Sequence, residues 1–186
     1  MSKWTQYHER VAEKPNSLVV SILEKFVTGK SACIDLGAGN LRDSKFLLAQ
    51  GFERVVAVDK SEESLGFISD GIELHIMPIE EYEIEKDTFD FVFSCNTLFF
   101  LAPYQIALLF RKILAGLRPG GIFTCNVLGM EDQWVVTGGR VSAFTEPQIK
   151  ALCKGFKILD IGDIKYIAES EHPKFWHLWS IVVKKP

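Results

Sequence analysis

Short apolar runs alternate with amphipathic stretches over most of the chain. The apolar runs predict buried strands, the first at the start of segment 31–42 and the others at 54–58, 73–77, 87–94 and 122–128. Between them, apolar positions three and four residues apart predict helices over 16–26, around 46–49, and over 61–71 and 103–116. Strands and helices that alternate in this way indicate a parallel sheet covered by helices on both faces.

The last third of the chain follows a different pattern. A long connection at 129–144 precedes a helix over 145–154, for which Thr145 is the expected N-cap. The strands predicted at 156–164 and 175–184 have no helix between them, so we expect an antiparallel hairpin at the edge of the sheet. The pattern therefore predicts a doubly wound, Rossmann-like α/β fold with a mixed sheet of about seven strands.

Length, composition and charge narrow the class of protein. The chain has 186 residues, 47% of them hydrophobic, which suits a single domain over 1–186. Within it we expect an N-terminal helical cap (1–30), a cofactor-binding core (31–128) and a substrate loop, helix and hairpin (129–186). The net charge is −3 and no run of Lys and Arg exceeds a pair, which argues against a nucleic-acid partner.

Cysteine use and hydropathy bear on location. The four cysteines are scattered without a Cys-x-x-Cys motif, so we expect reduced thiols, a cytoplasmic protein and no metal site. The longest apolar stretch, 97–110, is too short to span a bilayer and is interrupted by Pro103. Charges throughout 1–15 argue against a signal peptide, so no membrane partner is expected.

Candidate chemistry begins at the turn after the first predicted strand. Gly37 and Gly39 stand one residue apart between that strand and a helix. Glycines there let the backbone pass close under a ligand, and the free amide N–H groups of the helix start suit a polar or anionic group. The turn predicts a site for a nucleotide-like cofactor, although Gly-x-Gly turns also join strands to helices where no ligand binds.

Three acidic or basic positions refine the expected ligand. Asp59 ends the second strand, where an acid can accept hydrogen bonds from both hydroxyls of a ribose; it could also cap the next helix, and the two roles are compatible. Arg42 replaces the third glycine of a dinucleotide fingerprint, and Asp35 would repel a pyrophosphate but attract an ammonium. A ribose, an adenine and a cationic amino-acid tail together describe S-adenosylmethionine.

With these residues the chain resembles the class I S-adenosylmethionine-dependent methyltransferases. The D-L-G-A-G segment 35–39 is similar to the family's first motif, Asp59 to its second, Ile79 with Glu80 to its third, and 89–96 to its fourth. The turn at 117–121 and the terminal hairpin are similar to the family's elements around its fifth and seventh strands. The last third also resembles small bacterial methyltransferases of the tellurite-resistance and thiopurine type.

The resemblance implies a cofactor role for each matching position. Asp35 would lie near the methionine ammonium, Asp59 would hold the ribose, and Ile79 with Glu80 would hold the adenine. The complete predicted cofactor site is Asp35, Gly37, Gly39, Arg42, Asp59, Lys60, Ile79, Glu80, Cys95 and Asn96, the last two at the methionine end. The chain departs from the family at Leu41, where many members have a third glycine, and at Glu80, where many have aspartate.

The resemblance also implies transfer of a methyl group from S-adenosylmethionine to a small-molecule acceptor, with S-adenosylhomocysteine as product. Displacement at a sulfonium methyl is accelerated mainly by positioning, and a soft anionic acceptor needs no base. For other acceptors His177 is the predicted base, with His8, His172 and Asp132 as further candidates. The aromatic residues predicted for the acceptor pocket are Trp4, Tyr7, Trp134, Phe144 and Trp176, with Trp179 as a further candidate; half or more of them could instead belong to the core.

Two other functions stay open at this level. A binding or regulatory module could keep the cofactor pocket without turnover. A nicotinamide-dependent oxidoreductase could use the same glycine turn, although Arg42 disfavours it.

Overall fold

The computed structural model describes residues 14–168 and 173–186, and eight strands within them form one mixed sheet. The strands are β1 (Ala32–Leu36), β2 (Arg54–Asp59), β3 (Ile72–Ile76), β4 (Phe89–Ser94), β5 (Leu117–Gly129), β6 (Ala143–Phe144), β7 (Lys157–Ala168) and β8 (Lys174–Lys184). Their spatial order is β3-β2-β1-β4-β5-β8-β7, and β6 lies beside the end of β5. The order reverses between β1 and β4, which is where ligands bind in open α/β sheets.

Five α-helices of the described residues cover the sheet or its loops. They are α1 (Ser17–Phe26), α2 (Arg42–Ala49), α3 (Pro103–Gly116), α4 (Gln133–Val136) and α5 (Glu146–Leu152). One apolar cluster joins α1 and α2 to one face of the sheet, through residues such as Ile22 and Leu47. A second cluster joins α3 and α5 to the opposite face, through residues such as Phe110 and Ile149. The predicted doubly wound arrangement, with helices on both faces, is confirmed.

The predicted terminal hairpin is also confirmed. β8 pairs antiparallel with β5 on one side and with β7 on the other, whereas all pairings among β1 to β6 are parallel. β7 is therefore an edge strand, and the start of β8 lies beside the carboxyl end of β5, where Leu128 pairs with Leu178.

The connection expected at 129–144 contains α4 and β6, so the sheet has eight strands where about seven were predicted. Two other elements also differ from the predicted ones. The helix expected over 61–71 is a short 3₁₀ helix, Glu62–Phe67, for which Ser61 accepts a hydrogen bond from Glu63 N. Gly66 lies inside it and both Leu65 and Ile68 are exposed, so little apolar packing is available to extend the helix.

The second difference concerns the turn expected at 118–121. β5 begins at Leu117 and runs through that segment, with a register shift against β4 between Phe89 and Phe91. Gly120 takes a positive φ of 84° there, and its N–H donates to Lys185 O at 3.0 Å. The Pro-Gly-Gly segment is therefore an irregularity within a longer strand rather than a separate turn.

The predicted residues Trp4, Tyr7, His8 and His172 lie outside the described ranges. No helix of residues 14–168 and 173–186 is long and apolar enough to cross a membrane.

Candidate active site

The glycine turn after β1 is held against the end of β2 by backbone hydrogen bonds. Gly37 N and Ala38 N both donate to Val58 O, at 2.8 and 3.2 Å. Gly39 N donates to Asp59 Oδ2 at 2.8 Å. Gly37 and Gly39 have positive φ angles of 89° and 53°, which glycine adopts at little cost. Asp59 thus fixes the loop that was predicted to pass under the cofactor.

The second oxygen of Asp59 accepts from Ser61 N at 2.9 Å. Ser61, and not Asp59, caps the short 3₁₀ helix that follows. Each carboxylate oxygen has more than one lone pair, so both oxygens keep acceptor capacity for a ligand hydroxyl. Lys60, which lies between Asp59 and Ser61 in sequence, is exposed.

The glycine turn packs against the loop that follows β4. A Cβ atom at Gly37 would overlap the side chain of Thr97, which follows β4. A side chain therefore cannot be added at position 37 without displacing Thr97. The contact brings the ends of β1 and β4 together at the point where the strand order reverses.

Leu41 adopts the left-handed conformation that a third glycine would adopt more easily. Its φ and ψ are 60° and 15°, it precedes the first residue of α2, and its side chain is fully buried. A left-handed leucine costs about 1–2 kcal/mol, which burial of its side chain offsets. The departure from the family pattern is thus compensated by packing.

Asp35 lies at the end of β1, almost wholly buried at 3% exposure. Its Oδ2 accepts from Ser44 Oγ on α2 at 2.7 Å. Burial, and next the nearby Asp43 carboxylate, raise the pKa of Asp35 well above its usual range. Asp43 is itself held by Asn16 N at 2.6 Å, and Arg42 Nε lies 3.6 Å from its Oδ2. The site therefore contains a buried acid that lacks a direct cationic partner among the described residues.

Ile79 and Glu80, predicted to contact an adenine, follow β3. Ile79 is buried in the cluster beneath α3, and Glu80 Oε1 accepts from Gln105 Nε2 at 3.0 Å. Lys112 Nζ donates to the Glu80 carbonyl at 3.1 Å. α3 thus positions this segment, which the sequence motif alone did not indicate.

At the end of β4, Asn96 forms a reciprocal amide pair with Asn126 of β5. Asn96 N donates to Asn126 Oδ1 at 2.6 Å, and Asn126 Nδ2 donates to Asn96 Oδ1 at 2.7 Å. Asn96 has a φ of 56°, so this pair holds a left-handed backbone. Burial raises the pKa of the adjacent Cys95 thiol well above its usual range, which makes it a poor nucleophile.

Sequence reasoning missed Asn126. An asparagine inside the apolar run 122–128 was the available signal, because a polar side chain on a central strand needs a partner.

An aromatic cluster lies beside this point, between the end of β4 and the start of β8. Trp134 and Trp176 have ring centroids 5.2 Å apart. Phe99 lies 6.0 Å from Trp134 and 6.4 Å from Trp176, and Phe100 lies 6.1 Å from Trp134. Two of the aromatic residues predicted for the acceptor pocket are thus brought together, with two phenylalanines that the sequence reasoning did not single out.

Lys174 and Asp132 form an ion pair under this cluster. Lys174 Nζ lies 2.9 and 2.8 Å from the two Asp132 oxygens, and 4.3 and 3.1 Å from the ring centroids of Trp134 and Trp176. Asp132 is fully buried and also accepts from Trp134 N at 2.9 Å and His177 N at 3.1 Å. Burial lowers the pKa of Lys174 and the Asp132 carboxylate opposes that shift. One carboxylate thus ties α4 to β8.

His177 lies at the predicted rim, but both ring nitrogens face protein groups. Nδ1 accepts from Glu131 N at 3.2 Å, which places the proton on Nε2. Nε2 lies 3.0 Å from Asp163 Oδ1 but does not form a hydrogen bond to it. The ring packs so closely on Gly129 that a Cβ atom there would overlap it. The geometry shows a packed, oriented imidazole; its catalytic role stays a prediction.

Phe144 and Trp179 lie apart from the aromatic cluster. Phe144 is buried in the core beneath α3 and α5, and its carbonyl accepts from Trp179 Nε1 at 3.1 Å. Trp179 packs against the same core. For these two aromatic residues the structure shows packing.

Comparisons with known proteins identify a similar family and similar folds. Residues 33–121 match the family described as Methyltransferase domain. No match is found among the curated proteins. Among solved structures, TehB from Haemophilus influenzae is 16% identical with a TM-score of 0.78, over 98% of this chain and 66% of that protein.

Two further structures are similar over most of this chain. A 1,6-didemethyltoxoflavin-N1-methyltransferase from Burkholderia thailandensis, solved with 1,6-didemethyltoxoflavin and S-adenosylhomocysteine, is 21% identical with a TM-score of 0.73, over 97% of this chain and 80% of that one. An S-adenosylmethionine-dependent methyltransferase from Mesorhizobium loti is 17% identical with a TM-score of 0.70, over 91% of this chain and 99% of that one. The predicted resemblance is therefore confirmed: residues 33–121 match the methyltransferase-domain family, and the chain has the fold of the S-adenosylmethionine-dependent methyltransferases.

Proposed function

We propose that the protein transfers a methyl group from S-adenosylmethionine to a small-molecule acceptor. The observation that carries the proposal is the arrangement of Asp59, whose carboxylate holds Gly39 N of the glycine turn and keeps lone pairs for a ribose. A single carboxylate can thus shape the loop and bind the nucleoside. This arrangement occurs at the reversal of strand order, where the fold expects a ligand.

The adenosine would lie across the ends of β1, β2 and β3. Asp59 would accept hydrogen bonds from the ribose. The glycine turn would pass under the ligand, because its glycines adopt positive φ angles and have no Cβ atom that would contact the ligand. Ile79 would contact the adenine ring, and Glu80 would reach its exocyclic amine, since the bond from Gln105 uses one of its oxygens.

Asp35 suits the methionine ammonium because it is a buried acid. An ammonium brought near it would stabilise the carboxylate and lower its raised pKa. The charge of the ligand would then take the place of a protein cation. Arg42 and Lys60 stay near this end as further predicted contacts, while Cys95 and Asn96 are proposed for the sulfur side.

The acceptor would bind against the aromatic cluster of Phe99, Phe100, Trp134 and Trp176. Phe100 is exposed and the two tryptophans are partly exposed, so the cluster offers an apolar surface, which favours a small aromatic or otherwise apolar molecule over a charged polymer. The Burkholderia neighbour, a 1,6-didemethyltoxoflavin-N1-methyltransferase, supports a small-molecule acceptor.

Positioning of the acceptor against the cofactor would account for most of the acceleration of methyl transfer. S-adenosylmethionine supplies a methyl group on a positively charged sulfur that is already a good leaving group. The chain's part is to hold the acceptor in line with that methyl and to exclude water, which the rigid Asn96–Asn126 pair and the aromatic cluster can do. His177 is the predicted base for acceptors that must lose a proton. Because its Nδ1 lone pair accepts from Glu131 N, that hydrogen bond would have to open before the imidazole could take a proton.

We place the protein in the cytoplasm. Its four cysteines are free thiols, three of them buried, which favours a reducing compartment.

Thermal denaturation with S-adenosylhomocysteine tests the proposal. The ligand is expected to raise the melting temperature of the wild type, and the Asp59→Ala variant is expected to lose that rise because it loses both the loop contact and the ribose acceptor. Asp70→Ala is the matched control: Asp70 is an exposed aspartate before β3, at the other end of the sheet, and its removal should leave the shift unchanged.

Three results would decide between the candidate functions. An unshifted wild type would refute the proposal. A shift with NAD and none with S-adenosylhomocysteine would favour an oxidoreductase. Binding without methyl transfer to any member of a broad acceptor panel would favour a binding module.

A further inference from the structure

The edge strand β7 is long and offers its outer edge for pairing. It spans 12 residues, Lys157–Ala168, about twice the usual strand length. Within residues 14–168 and 173–186, β8 is the strand that pairs with it, and no strand pairs with the opposite edge. A long edge of this kind is a template for pairing with another chain, and β7 contains no proline that would prevent it.

The side chains of this strand are unusually apolar for an edge. Ile164 is 42% exposed, Tyr166 46% and Ile167 65%. Natural edge strands normally carry charges that keep other chains away, and here the charged residues of the regular part are Asp160, Asp163 and Lys165. The order of these charges along β7 indicates which strand can pair with its free edge.

We propose that β7 pairs antiparallel with β7 of a second copy, around a two-fold axis at Ile164, so that the two sheets join into one. In this register Asp163 of each copy stands opposite Lys165 of the other, twice by symmetry. The charges that would repel a foreign strand therefore attract a second copy of this chain.

The remaining positions of the same register also fit. Ile161 faces Ile167, again twice, and Ile164 faces itself on the axis. Gly162 faces Tyr166, an aromatic residue that can cover a glycine on a neighbouring strand. All of these positions lie in the regular part of the strand, where the pairing with β8 runs without a shift from Asp160 to Ala168.

Neighbouring registers fail on charge. An axis at Asp163 would set two aspartates opposite each other and Ile161 opposite a lysine. An axis at Lys165 would set two lysines opposite each other. Side chains of opposed residues must share a face, so the axis can pass only through a residue of the regular strand. The position at Ile164 gives matching pairs from Ile161 to Ile167 and sets Asp160 opposite Ala168, which carries no charge.

The existing contacts of Lys165 and Asp163 leave both side chains available for this pairing. Lys165 Nζ lies 2.6 Å from Glu131 Oε1 and 3.9 Å from Asp163 Oδ2, and all three side chains are partly exposed, so the lysine can be shared with the second copy. Asp163 approaches His177 through one oxygen, which leaves the other for the partner lysine.

Cross-linking tests the register. Opposed residues of antiparallel strands have Cα atoms about 4.5–5.5 Å apart, within the range that a disulfide spans. The Ile164→Cys variant is therefore expected to form a covalent dimer under mild oxidation. A mixture of Ile161→Cys and Ile167→Cys chains should form a mixed dimer, whereas either variant alone should not.

Two controls accompany this test. The wild type measures the background of the native thiols, one of which is partly exposed. Tyr104→Cys places a thiol on the exposed face of α3, at a residue with 67% exposure, and should stay monomeric under the same oxidation.

Sedimentation velocity tests the dimer without a cross-link. The wild type is expected to sediment as a dimer at micromolar concentration, and Ile164→Arg, which sets two guanidinium groups together on the axis, is expected to weaken it at least about tenfold, equivalent to 1.4 kcal/mol. A monomeric wild type would overturn the proposal. A dimer that Ile164→Arg leaves intact, or equal cross-linking of Tyr104→Cys and Ile164→Cys, would also overturn it.

Discussion

The two ends of the candidate active site are built from different groups. At the proposed cofactor end, backbone amides of the glycine turn donate to the Val58 carbonyl and the Asp59 carboxylate, all within one β-α-β unit. At the proposed acceptor end, side chains from separate segments meet: Asp132 binds Lys174, about forty residues away, and Trp134 packs against Trp176. The first end depends on local backbone conformation, and the second on long-range pairing of side chains.

This difference explains how easily each end can be recognised in the sequence. A backbone-built site needs glycines and one acid at fixed spacing, so it leaves a recognisable motif in the sequence. A site built from side chains can be made from many combinations, and its pairs are visible only once the fold brings them together.

The largest effect is expected from the acceptor end, in the Asp132→Ala variant. Removing this buried carboxylate leaves Lys174 and two backbone N–H groups without their acceptor, so the free energy of unfolding should fall by about 3 kcal/mol. Urea denaturation of the variant against Asp70→Ala, which removes an exposed carboxylate, measures it.

Lys174→Met tests the same ion pair from its other side. The methionine keeps an apolar chain against the tryptophans, but the fully buried Asp132 carboxylate keeps only its two backbone donors and loses its cation, so a loss of comparable size is expected. A loss below about 1 kcal/mol for Asp132→Ala would show that the carboxylate does not hold the two segments together.

A smaller effect of opposite sign is expected at the cofactor end, in Asp35→Asn. Because folding raises the pKa of Asp35, the stabilising contribution of this carboxyl is fully present below the pKa of the unfolded chain and is lost as the pH rises through the folded value. At pH 7, which is above the pKa of the unfolded chain, burial of this carboxyl is therefore a cost. The amide keeps an acceptor for Ser44 and removes the charge, so the melting temperature should rise by about 2–4 °C.

The same variant should bind S-adenosylhomocysteine at least about tenfold more weakly, because it cannot pair with the methionine ammonium. The gain in melting temperature should shrink as the pH is lowered toward 4, where the wild-type carboxyl is protonated. A variant that is less stable at pH 7, or a gain independent of pH, would contradict the account of Asp35.

The order and type of most elements could be predicted from the sequence. Periodicity identified α3, Asn16 marked the start of α1, and the missing helix between the last two strands indicated the hairpin. The 3₁₀ helix at Glu62–Phe67 could not be predicted, because its polar cap resembles that of a longer helix and only packing shows that nothing extends it.

Within the site, local motifs were informative and distant pairs were not. Asp59 and the glycine turn lie together as predicted. The partners of Asn96 and Asp132, which are Asn126 and Lys174, lie on strands paired through the sheet, so their proximity depends on register rather than on spacing along the chain. Phe144 shows the same limit, since an aromatic residue in a loop looks alike whether it lines a pocket or fills the core.

The most direct test is a crystal structure of the protein with S-adenosylhomocysteine. The account predicts both ribose hydroxyls within about 3 Å of the Asp59 carboxylate, the amino-acid end beside Asp35, and the sulfur directed toward Trp134 and Trp176. A nucleoside bound away from Asp59, or a sulfur directed away from the two tryptophans, would contradict it.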